Sequence, residues 1–522
     1  MASWPSARCT RPSVCTSPMD KAKSTKSTPS NVSRRRAPHC RPLSRPQRAR
    51  QTTRMAHVFG YEIGSAAQHP APSRMYGGAP KTSRPTWRGG RDLAAGVARE
   101  LVATHGSPLF VYRPEVVEAR VGALRAALGE LPLTLRYAVK ANPCPALLQA
   151  LRRDADRGLD GLDVASAGEL RAGIQAGFGG DSIALAGPGK SADEHRAALD
   201  AGAAISVESL LELERLLGLV GKRDGKRPKP RLRLRVNPRE MIHAYGLRTG
   251  GGASPFGIDE ELLPQAAAML ATSDGGKSVE FEGIHVHAGS QCFSAAALAR
   301  SFTQTLAIAR RFEQRAGLRC RVVNLGGGLG HGSWYGANAI DLDDLGARLR
   351  RRWAEHLGAL GEAAPPLPLE RERRLELEPG RWLVGPAGSY LCRVLDVKVS
   401  RGQRFVVVDG GMHQLFAATG VYGPTPARPP LLRTLGDETD GRELERCAVV
   451  GRLCTPLDRL AADVQLPEPR VGDLLRALIS LPDRAARRMR NHGVGARRAP
   501  AGSKEPTSNT RCDFADQRGD GR

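Results

Sequence analysis

The sequence predicts an α/β fold in which a (β/α)8 barrel is followed by a smaller β domain. Between residues 115 and 381, short apolar runs alternate with helical stretches rich in Ala, Leu, Arg and Glu. Eight such runs fall within about 265 residues, as a barrel requires, and a doubly wound sheet is the alternative. The runs are Leu135–Ala141, Leu162–Ser166, Ile183–Gly187, Ile205–Glu208, Leu232–Asn237, Gly283–Gly289, Val322–Gly328 and Leu375–Gly380.

The pattern of apolar runs in the sequence changes after Arg381. Short β-like runs separated by Gly and Pro predict a compact β domain, and the run Leu109–Tyr112 is also a candidate to join it. These runs are Tyr390–Val399, Arg404–Val408 and Cys447–Val450. We therefore predict a barrel over residues 106–381 and a β domain over residues 382–475.

The two ends of the chain differ from its middle. Residues 1–90 are rich in Ser, Arg and Pro, which predicts a disordered basic leader, either a transit peptide or a misplaced start. Residues 476–522 are also rich in Arg, and we expect an aberrant, disordered basic tail from a shifted reading frame. The sequence shows neither a secretory signal nor an apolar segment of about 18 residues, which predicts a cytoplasmic protein without a membrane partner.

The formal charge of +25 lies in the ends of the chain. Residues 1–91 hold 18 Lys and Arg against 2 acidic residues, and residues 484–522 hold 10 against 4. The 50 basic residues between them are balanced by 47 acidic ones, so no nucleic-acid partner is expected for the folded part. Ten cysteines without C-x-x-C spacing indicate neither a zinc site nor a disulfide scaffold.

Candidate catalytic and binding residues lie at the carboxyl ends of the predicted strands, and in a barrel these ends converge on one mouth. Lys140 ends the first run, where a desolvated amine can hold an aldehyde as a Schiff base; otherwise its ammonium simply reaches water. The glycines at 326–328 can present successive N–H groups to a phosphate, or form a tight turn. His285 and His287 also allow a metal-dependent hydrolase, which would need further His and Asp ligands.

Several linked segments resemble the fold-type III pyridoxal-phosphate decarboxylases, which include diaminopimelate, ornithine and arginine decarboxylases and have an alanine-racemase-like barrel. The resemblance spans residues 106 to 475 and, with GPGKS at 187–191, is strongest for the diaminopimelate-decarboxylase-like branch, especially its exosortase-associated members. The segments are YAVKANP (137–143), GLDVASAGEL (161–170), SPFGID (254–259), GIHVHAGSQ (283–291), NLGGGLG (324–330), LEPGR (377–381), VVVDGGMH (406–413) and CTPLD (454–458).

This resemblance implies α-decarboxylation of an amino-acid substrate with pyridoxal 5'-phosphate as cofactor. Lys140 would form the Schiff base, and Glu378 would lie against the pyridine nitrogen and keep it protonated, where racemase relatives place an arginine. Arg381 would bind either the phosphate or a substrate carboxylate. The other implied cofactor-binding residues are Asp163, Ser166, His287, Ser290, Gly326, Gly327 and Gly328.

Two residues of the predicted β domain complete the implied site. Cys454 matches a cysteine that crosses a dimer interface and manages the proton returned to Cα, so a homodimer with shared sites is expected. Asp458 matches an acidic residue near the distal end of the substrate. The chain departs from the family because no tyrosine follows Tyr422 and no glutamate stands directly after Cys454. A non-catalytic pyridoxal-phosphate-binding protein stays an alternative, and the substrate is open among diaminopimelate, ornithine, lysine and a carrier-bound amino acid.

Overall fold

The computed structural model of the protein describes residues 93–153, 159–221, 228–331, 339–361, 373–415, 432–435 and 441–478, with the backbone of 493–495. The predicted leader and most of the predicted tail lie outside these residues. No helix in these ranges has the length and apolar character needed to cross a bilayer.

Strands and helices of the described residues are numbered along the chain. The strands are β1 Leu109–Tyr112, β2 Leu133–Ala138, β3 Gly161–Val164, β4 Ile183–Leu185, β5 Ala204–Val207, β6 Arg231–Asn237, β7 Leu247–Arg248, β8 Ile258–Asp259, β9 Glu280–His285, β10 Gly289–Ser290, β11 Val322–Asn324, β12 Arg374–Leu377, β13 Gly388–Ser400, β14 Gln403–Val408, β15 Leu432–Thr434, β16 Leu444–Val450, β17 Arg459–Pro467, β18 Leu474–Leu478 and β19 Gly493–Gly495. The α-helices are α1 Ala95–His105, α2 Pro114–Leu128, α3 Pro145–Arg153, α4 Ala167–Gln175, α5 Ala192–Ala201, α6 Leu210–Val220, α7 Leu263–Thr272, α8 Asp274–Lys277, α9 Ala295–Ala316, α10 Leu342–Ala359 and α11 Arg381–Val384.

Eight parallel strands close into a barrel, which confirms the predicted fold class. The order around the ring is β2-β3-β4-β5-β6-β9-β11-β12, and β12 returns to pair with β2. Each of the eight predicted runs overlaps one of these strands, and helices connect successive strands. Closure of the ring excludes the doubly wound alternative. It also brings the carboxyl ends of all eight strands to one mouth.

Side chains alternate between two environments along the barrel strands. In β6, Leu232, Leu234 and Val236 belong to the large hydrophobic core that includes the surrounding helices. Between them, Arg233 points into the barrel, where its Nη2 donates to Glu376 Oε1 of β12 at 3.0 Å. Both side chains of this pair are 0% exposed. The barrel interior therefore contains paired charges, while the apolar face of each strand packs against helices.

Serine side chains fix the starts of several helices. Ser191 accepts the N–H of Glu194, whose carboxylate accepts the N–H of Ser191 in return, and this capping box begins α5. Ser209 and Ser294 accept N–H groups in the same position at the starts of α6 and α9. These local signals set where each helix leaves the mouth of the barrel.

A second, mixed sheet forms the β domain. Its order is β15-β18-β13-β14-β16-β17, and β1 joins it by pairing antiparallel with β13. The parallel pair β14 and β16 makes the sheet mixed. Its core includes Tyr390, Val406, Val449 and Leu475, and the ring of Tyr390 lies 4.9 Å from that of Phe110 between centroids.

β18 of the β domain passes the predicted end of that domain. β18 runs from Leu474 to Leu478, with Leu475 and Ala477 buried in the core. Arg476 is also buried, and its Nε donates to Ser389 Oγ at 3.1 Å. The boundary predicted at residue 475 therefore falls inside a strand, because the buried run that begins at Leu474 continues through Ala477.

Candidate active site

Lys140 lies at the mouth of the barrel, just after β2. It sits in a single 3-10 turn between the buried residues Val139 and Ala141, and its Nζ lies 2.9 Å from Asp163 Oδ2. The side chain of Lys140 is 30% exposed, so the predicted desolvation of its amine is only partial. The amine is held by a carboxylate and is still accessible from the mouth.

Two buried carboxyl groups near Lys140 differ in their tendency to ionise. Burial and the charge of Glu378 raise the pKa of Asp163 to about 6, against the opposing effect of Lys140. Burial also opposes ionisation of Glu378, but His285 and Lys140 outweigh it and hold the pKa of Glu378 well below its usual range. Glu378 is therefore the permanent anion of the pair, and Asp163 titrates closer to neutrality.

Each oxygen of Glu378 has its own neighbour. Oε1 accepts a hydrogen bond from Asn324 Nδ2 at 2.6 Å, and Oε2 lies 3.4 Å from His285 Nε2. His285 Nδ1 in turn lies 3.2 Å from Ser206 Oγ. The carboxylate is thus fixed in position as well as ionised.

His287 is a neutral imidazole tied to the glycine turn. Burial and the charge of Lys140 lower the pKa of His287 well below its usual value. Its Nδ1 accepts the N–H of Gly327 at 3.1 Å. One edge of the ring is therefore fixed, and its predicted stacking on a cofactor stays a prediction.

Only glycine fits the turn at 326–328. Gly326 and Gly328 have φ angles of +68° and +96°, and a Cβ on Gly326 would lie 2.6 Å from the Val286 carbonyl oxygen. Gly326 N donates to Asn324 Oδ1 at 2.8 Å, and Gly327 N donates to His287. Side chains beside the turn thus accept the N–H groups of Gly326 and Gly327 in this structure, and the predicted contact of the three glycines with a phosphate stays a prediction.

Three further predicted residues lie around the same mouth. Ser166 accepts the N–H of Glu169 at 3.3 Å and begins α4, so its hydroxyl serves as a helix cap. Ser290 lies in β10, which pairs with β7. Arg381 begins α11, and its buried Nε has no hydrogen-bond partner among the described residues. An unpaired guanidinium nitrogen at this position suits an anionic ligand.

Cys454 and Asp458 lie in a loop of the β domain. Cys454 is exposed, whereas the other five cysteines of the described residues are buried free thiols. Asp458 is only 2% exposed and accepts N–H groups from Met412 at 2.6 Å and Leu453 at 2.8 Å. Within the described residues, neither side chain forms a hydrogen bond or ion pair with the barrel residues at the mouth. Their predicted roles stay predictions.

Two contacts at the site had not been predicted from sequence. Asn324 forms hydrogen bonds with both Glu378 and Gly326. The sequence signal for the second contact was the position of Asn324 two residues before a glycine. An Asn side chain often accepts the N–H of the residue two positions later. Tyr245 packs against the turn so closely that a Cβ on Gly328 would lie 2.7 Å from Tyr245 Cε1. Burial raises the pKa of Tyr245. No feature of its sequence neighbourhood indicated this contact.

The pair His285 and His287 does not form a metal centre with its neighbours. Among the described residues, no group of three His, Cys, Asp or Glu side chains is arranged to hold a metal ion. The two imidazoles instead contact Glu378 and Gly327.

The residues at the mouth fit pyridoxal phosphate. The accessible amine suits the aldehyde of that cofactor, and the fixed anion suits its ring nitrogen. The neutral imidazole suits the face of the ring. The glycine turn and the unpaired guanidinium nitrogen suit the phosphate. Together with the parallel barrel and the following β domain, these groups define a fold-type III pyridoxal-phosphate enzyme.

Comparison with known proteins gives the family. The pyridoxal binding domain of pyridoxal-dependent decarboxylases matches residues 115–385. The L-glutamyl-[BtrI acyl-carrier protein] decarboxylase of Niallia circulans is 31% identical over 382 residues, covering 72% of this chain and 83% of that relative. The diaminopimelate decarboxylase of Deinococcus radiodurans is 34% identical over 372 residues, covering 71% and 83%. The chain belongs to the pyridoxal-dependent decarboxylases, and its cofactor is pyridoxal phosphate.

A solved structure of the family supports the same fold. The diaminopimelate decarboxylase of Helicobacter pylori, complexed with L-lysine, has a TM-score of 0.62 and 25% sequence identity to this chain. The similarity covers 73% of this chain and 88% of that one.

Proposed function

We propose that this protein removes the α-carboxyl group of an amino acid, as a diaminopimelate-decarboxylase-like enzyme. The observation that carries this proposal is the ionised, doubly contacted carboxylate of Glu378 opposite the amine of Lys140. Pyridoxal phosphate, when bound, supplies an aldehyde for covalent attachment and an electron-withdrawing ring that takes up the electron pair left by CO2. A carboxylate against the ring nitrogen keeps that ring protonated, which favours decarboxylation.

Each barrel residue has a distinct task in this proposal. Lys140 Nζ would hold the cofactor aldehyde covalently, with loss of water, and Asp163, 2.9 Å away with a pKa of about 6, would accept the proton of that amine. Glu378 holds the proton on the ring nitrogen. His287 supports the ring face, and Arg381 binds the phosphate or the carboxylate of the substrate.

We assign the return of the proton at Cα to Cys454 from a second copy of the chain. Its thiol is exposed, and Leu453 and Leu457 beside it are 40% and 55% exposed. An apolar loop of this kind favours cover by another protein surface. The proposed active unit is therefore a homodimer with shared sites.

Two substrate classes are supported by the relatives. Diaminopimelate and similar free amino acids are favoured by the Deinococcus radiodurans relative, and an amino acid attached to a carrier protein by the Niallia circulans relative. Release of CO2 should be measured with free diaminopimelate, ornithine and lysine, and with glutamate attached to a carrier protein. Turnover of only the carrier-bound substrate would exclude the diaminopimelate-like specificity.

Borohydride reduction of the protein reconstituted with pyridoxal phosphate tests the chemistry directly. The expected result is a cofactor adduct on the peptide that contains Lys140. Lys190 is the internal control, because its amine is buried and lies 2.7 Å from Glu212. An adduct absent from Lys140, or equally present on Lys190, would contradict the proposal. A Glu378→Gln variant should keep the adduct and lose most CO2 release.

A further inference from the structure

The side chain of Asn324 contacts both ends of the cofactor site. Its Nδ2 donates to Glu378 Oε1 at 2.6 Å and lies 3.4 Å from Glu376 Oε2. Its Oδ1 accepts the N–H of Gly326 at 2.8 Å. Asn324 is the last residue of β11 and is 0% exposed. One short, buried amide therefore connects two parts of the site. These are the Glu378 carboxylate, which we assign to the ring nitrogen, and the glycine turn, which we assign to the phosphate.

This inference rests on the proposed function and adds a residue to it. We propose that Asn324 is a positioning residue that fixes the Glu378 carboxylate relative to the glycine turn, so that the two ends of the cofactor bind cooperatively. The amide group suits this task because it carries a donor and an acceptor on one rigid plane. Because Asn324 is fully buried, its removal takes both contacts away from groups that bulk solvent does not reach.

A second buried carboxylate explains why a neutral donor is needed here. Glu376 lies two residues before Glu378 and also faces the barrel interior. Burial opposes its ionisation, but Arg233 and Arg136 outweigh it and lower the pKa of Glu376 to about 2. Asn324 therefore separates two permanently charged carboxylates, and its N–H is closer to the one that has no arginine partner among the described residues.

The barrel contains a matched control for this arrangement. Asn237, at the end of β6, donates from Nδ2 to Asp259 Oδ1 at 2.8 Å and accepts the N–H of Gly251 at 2.9 Å. It is 4% exposed. The same truncation at Asn237 thus removes the same types of contact from an equally buried strand end that does not touch Glu378.

The experiment compares the wild-type chain with Asn324→Ala, Asn237→Ala, Glu378→Gln and the Asn324→Ala/Glu378→Gln double variant. Dissociation constants for pyridoxal phosphate and for pyridoxal, which lacks the phosphate, are measured from cofactor absorbance. We expect Asn324→Ala to weaken pyridoxal phosphate binding about tenfold or more, as for loss of a hydrogen bond to a charged group. We also expect it to reduce the advantage of pyridoxal phosphate over pyridoxal.

The double variant tests whether Asn324 acts through Glu378. The expected effect of Asn324→Ala is clearly smaller in the Glu378→Gln background than in the wild type, because the acceptor has lost its charge. The pKa of Glu378 should rise in Asn324→Ala, since its ionised form loses a donated hydrogen bond. Because this carboxylate is assigned to the ring nitrogen, the pH midpoint of the cofactor absorbance should also move upward. Asn237→Ala should leave both quantities unchanged.

Asn324→Ser separates the two contacts and serves if Asn324→Ala does not fold. Its hydroxyl can still accept the N–H of Gly326 but is too short to replace Nδ2, so the upward pH shift should persist while the advantage of the phosphate is kept. Additive effects in the double variant, or Asn324 variants that behave like Asn237→Ala, would overturn the positioning role alone. A wild-type chain that binds no pyridoxal phosphate would overturn the proposed function and this inference together.

Discussion

Glu376 and Glu378 face the same barrel interior two residues apart, yet only Glu376 is neutralised by arginines. Arg233 and Arg136 contact Glu376 at 3.0 and 3.2 Å, whereas Glu378 is contacted by the amide of Asn324 and the imidazole of His285. The alternation along the chain thus places the arginine-paired carboxylate of Glu376 below the carboxylate that we propose contacts the cofactor. Because the charge of Glu378 is not cancelled by a guanidinium, it stays directed toward a ligand in the mouth.

Replacing Glu376 with Gln should destabilise the folded chain without removing the cofactor site. The substitution leaves Arg233 and Arg136 buried beside a neutral amide, and breaking a buried pair of this kind typically costs about 3–5 kcal/mol. Urea unfolding followed by fluorescence measures the change. Glu261→Gln is the control, because Glu261 is 46% exposed in its pair with Arg239 and exposed pairs contribute little to stability. Equal losses in the two variants would contradict the structural role of Glu376.

Titration of Asp163 should be visible near pH 6 in the chain without cofactor. Because its pKa is raised from 3.8 to about 6, folding favours the protonated form. The stability contributed by this group is present below its ordinary pKa and is lost as pH rises through about 6. Infrared spectra should therefore show a protonated carboxyl band that disappears near pH 6 and is absent from Asp163→Asn.

The charge of Glu378 provides a second measurement on the same band. That charge raises the pKa of Asp163, so Glu378→Gln should move the midpoint of the band to lower pH. A midpoint that stays in place, or moves upward, would show that the two carboxyl groups do not interact.

Gly326→Ala should be more damaging than the same change at a glycine with an equal backbone angle. Gly326 and Gly317 have φ angles of +68° and +66°. A Cβ on Gly326 would meet Val286 and His287, whereas one on Gly317 would meet nothing within 4 Å. Gly317→Ala should cost about 1–2 kcal/mol for the left-handed backbone alone. Gly326→Ala should cost about 1–3 kcal/mol more and weaken cofactor binding, as measured by urea unfolding and cofactor absorbance. Equal costs would mean that the space around Gly326 is unimportant.

The sequence predicted the barrel because its signals are local. Each strand is an apolar run of fitting length, and each is followed by a helical pattern. Motif residues such as Lys140 and Glu378 could be placed at the mouth because strand ends converge there. The hydrogen bond from Asn324 to Glu378 and the one from Met412 to Asp458 could not be predicted, since each joins segments that are distant along the chain.

Asp458 illustrates this limit, because its contacts favour a different task from the predicted one. Its two oxygens accept the N–H groups of Met412 and Leu453, and a Cβ on either Gly411 or Gly451 would collide with its carboxylate. The carboxylate therefore joins the turn at 410–412 to the loop that carries Cys454. A residue that reads the distal end of a substrate would instead need free acceptor capacity directed at the site.

Asp458→Asn separates these two tasks. The amide keeps the shape of the side chain but replaces one acceptor with a donor, which faces a backbone N–H and loosens the loop. If Asp458 holds the loop, kcat should fall by a similar factor for every substrate, KM should hardly change, and Cys454 should react faster with a thiol reagent. Asp463→Asn, in an exposed pair with Arg446, is the control and should change none of these quantities. A rise in KM confined to substrates with a distal amine would instead support the role at the substrate.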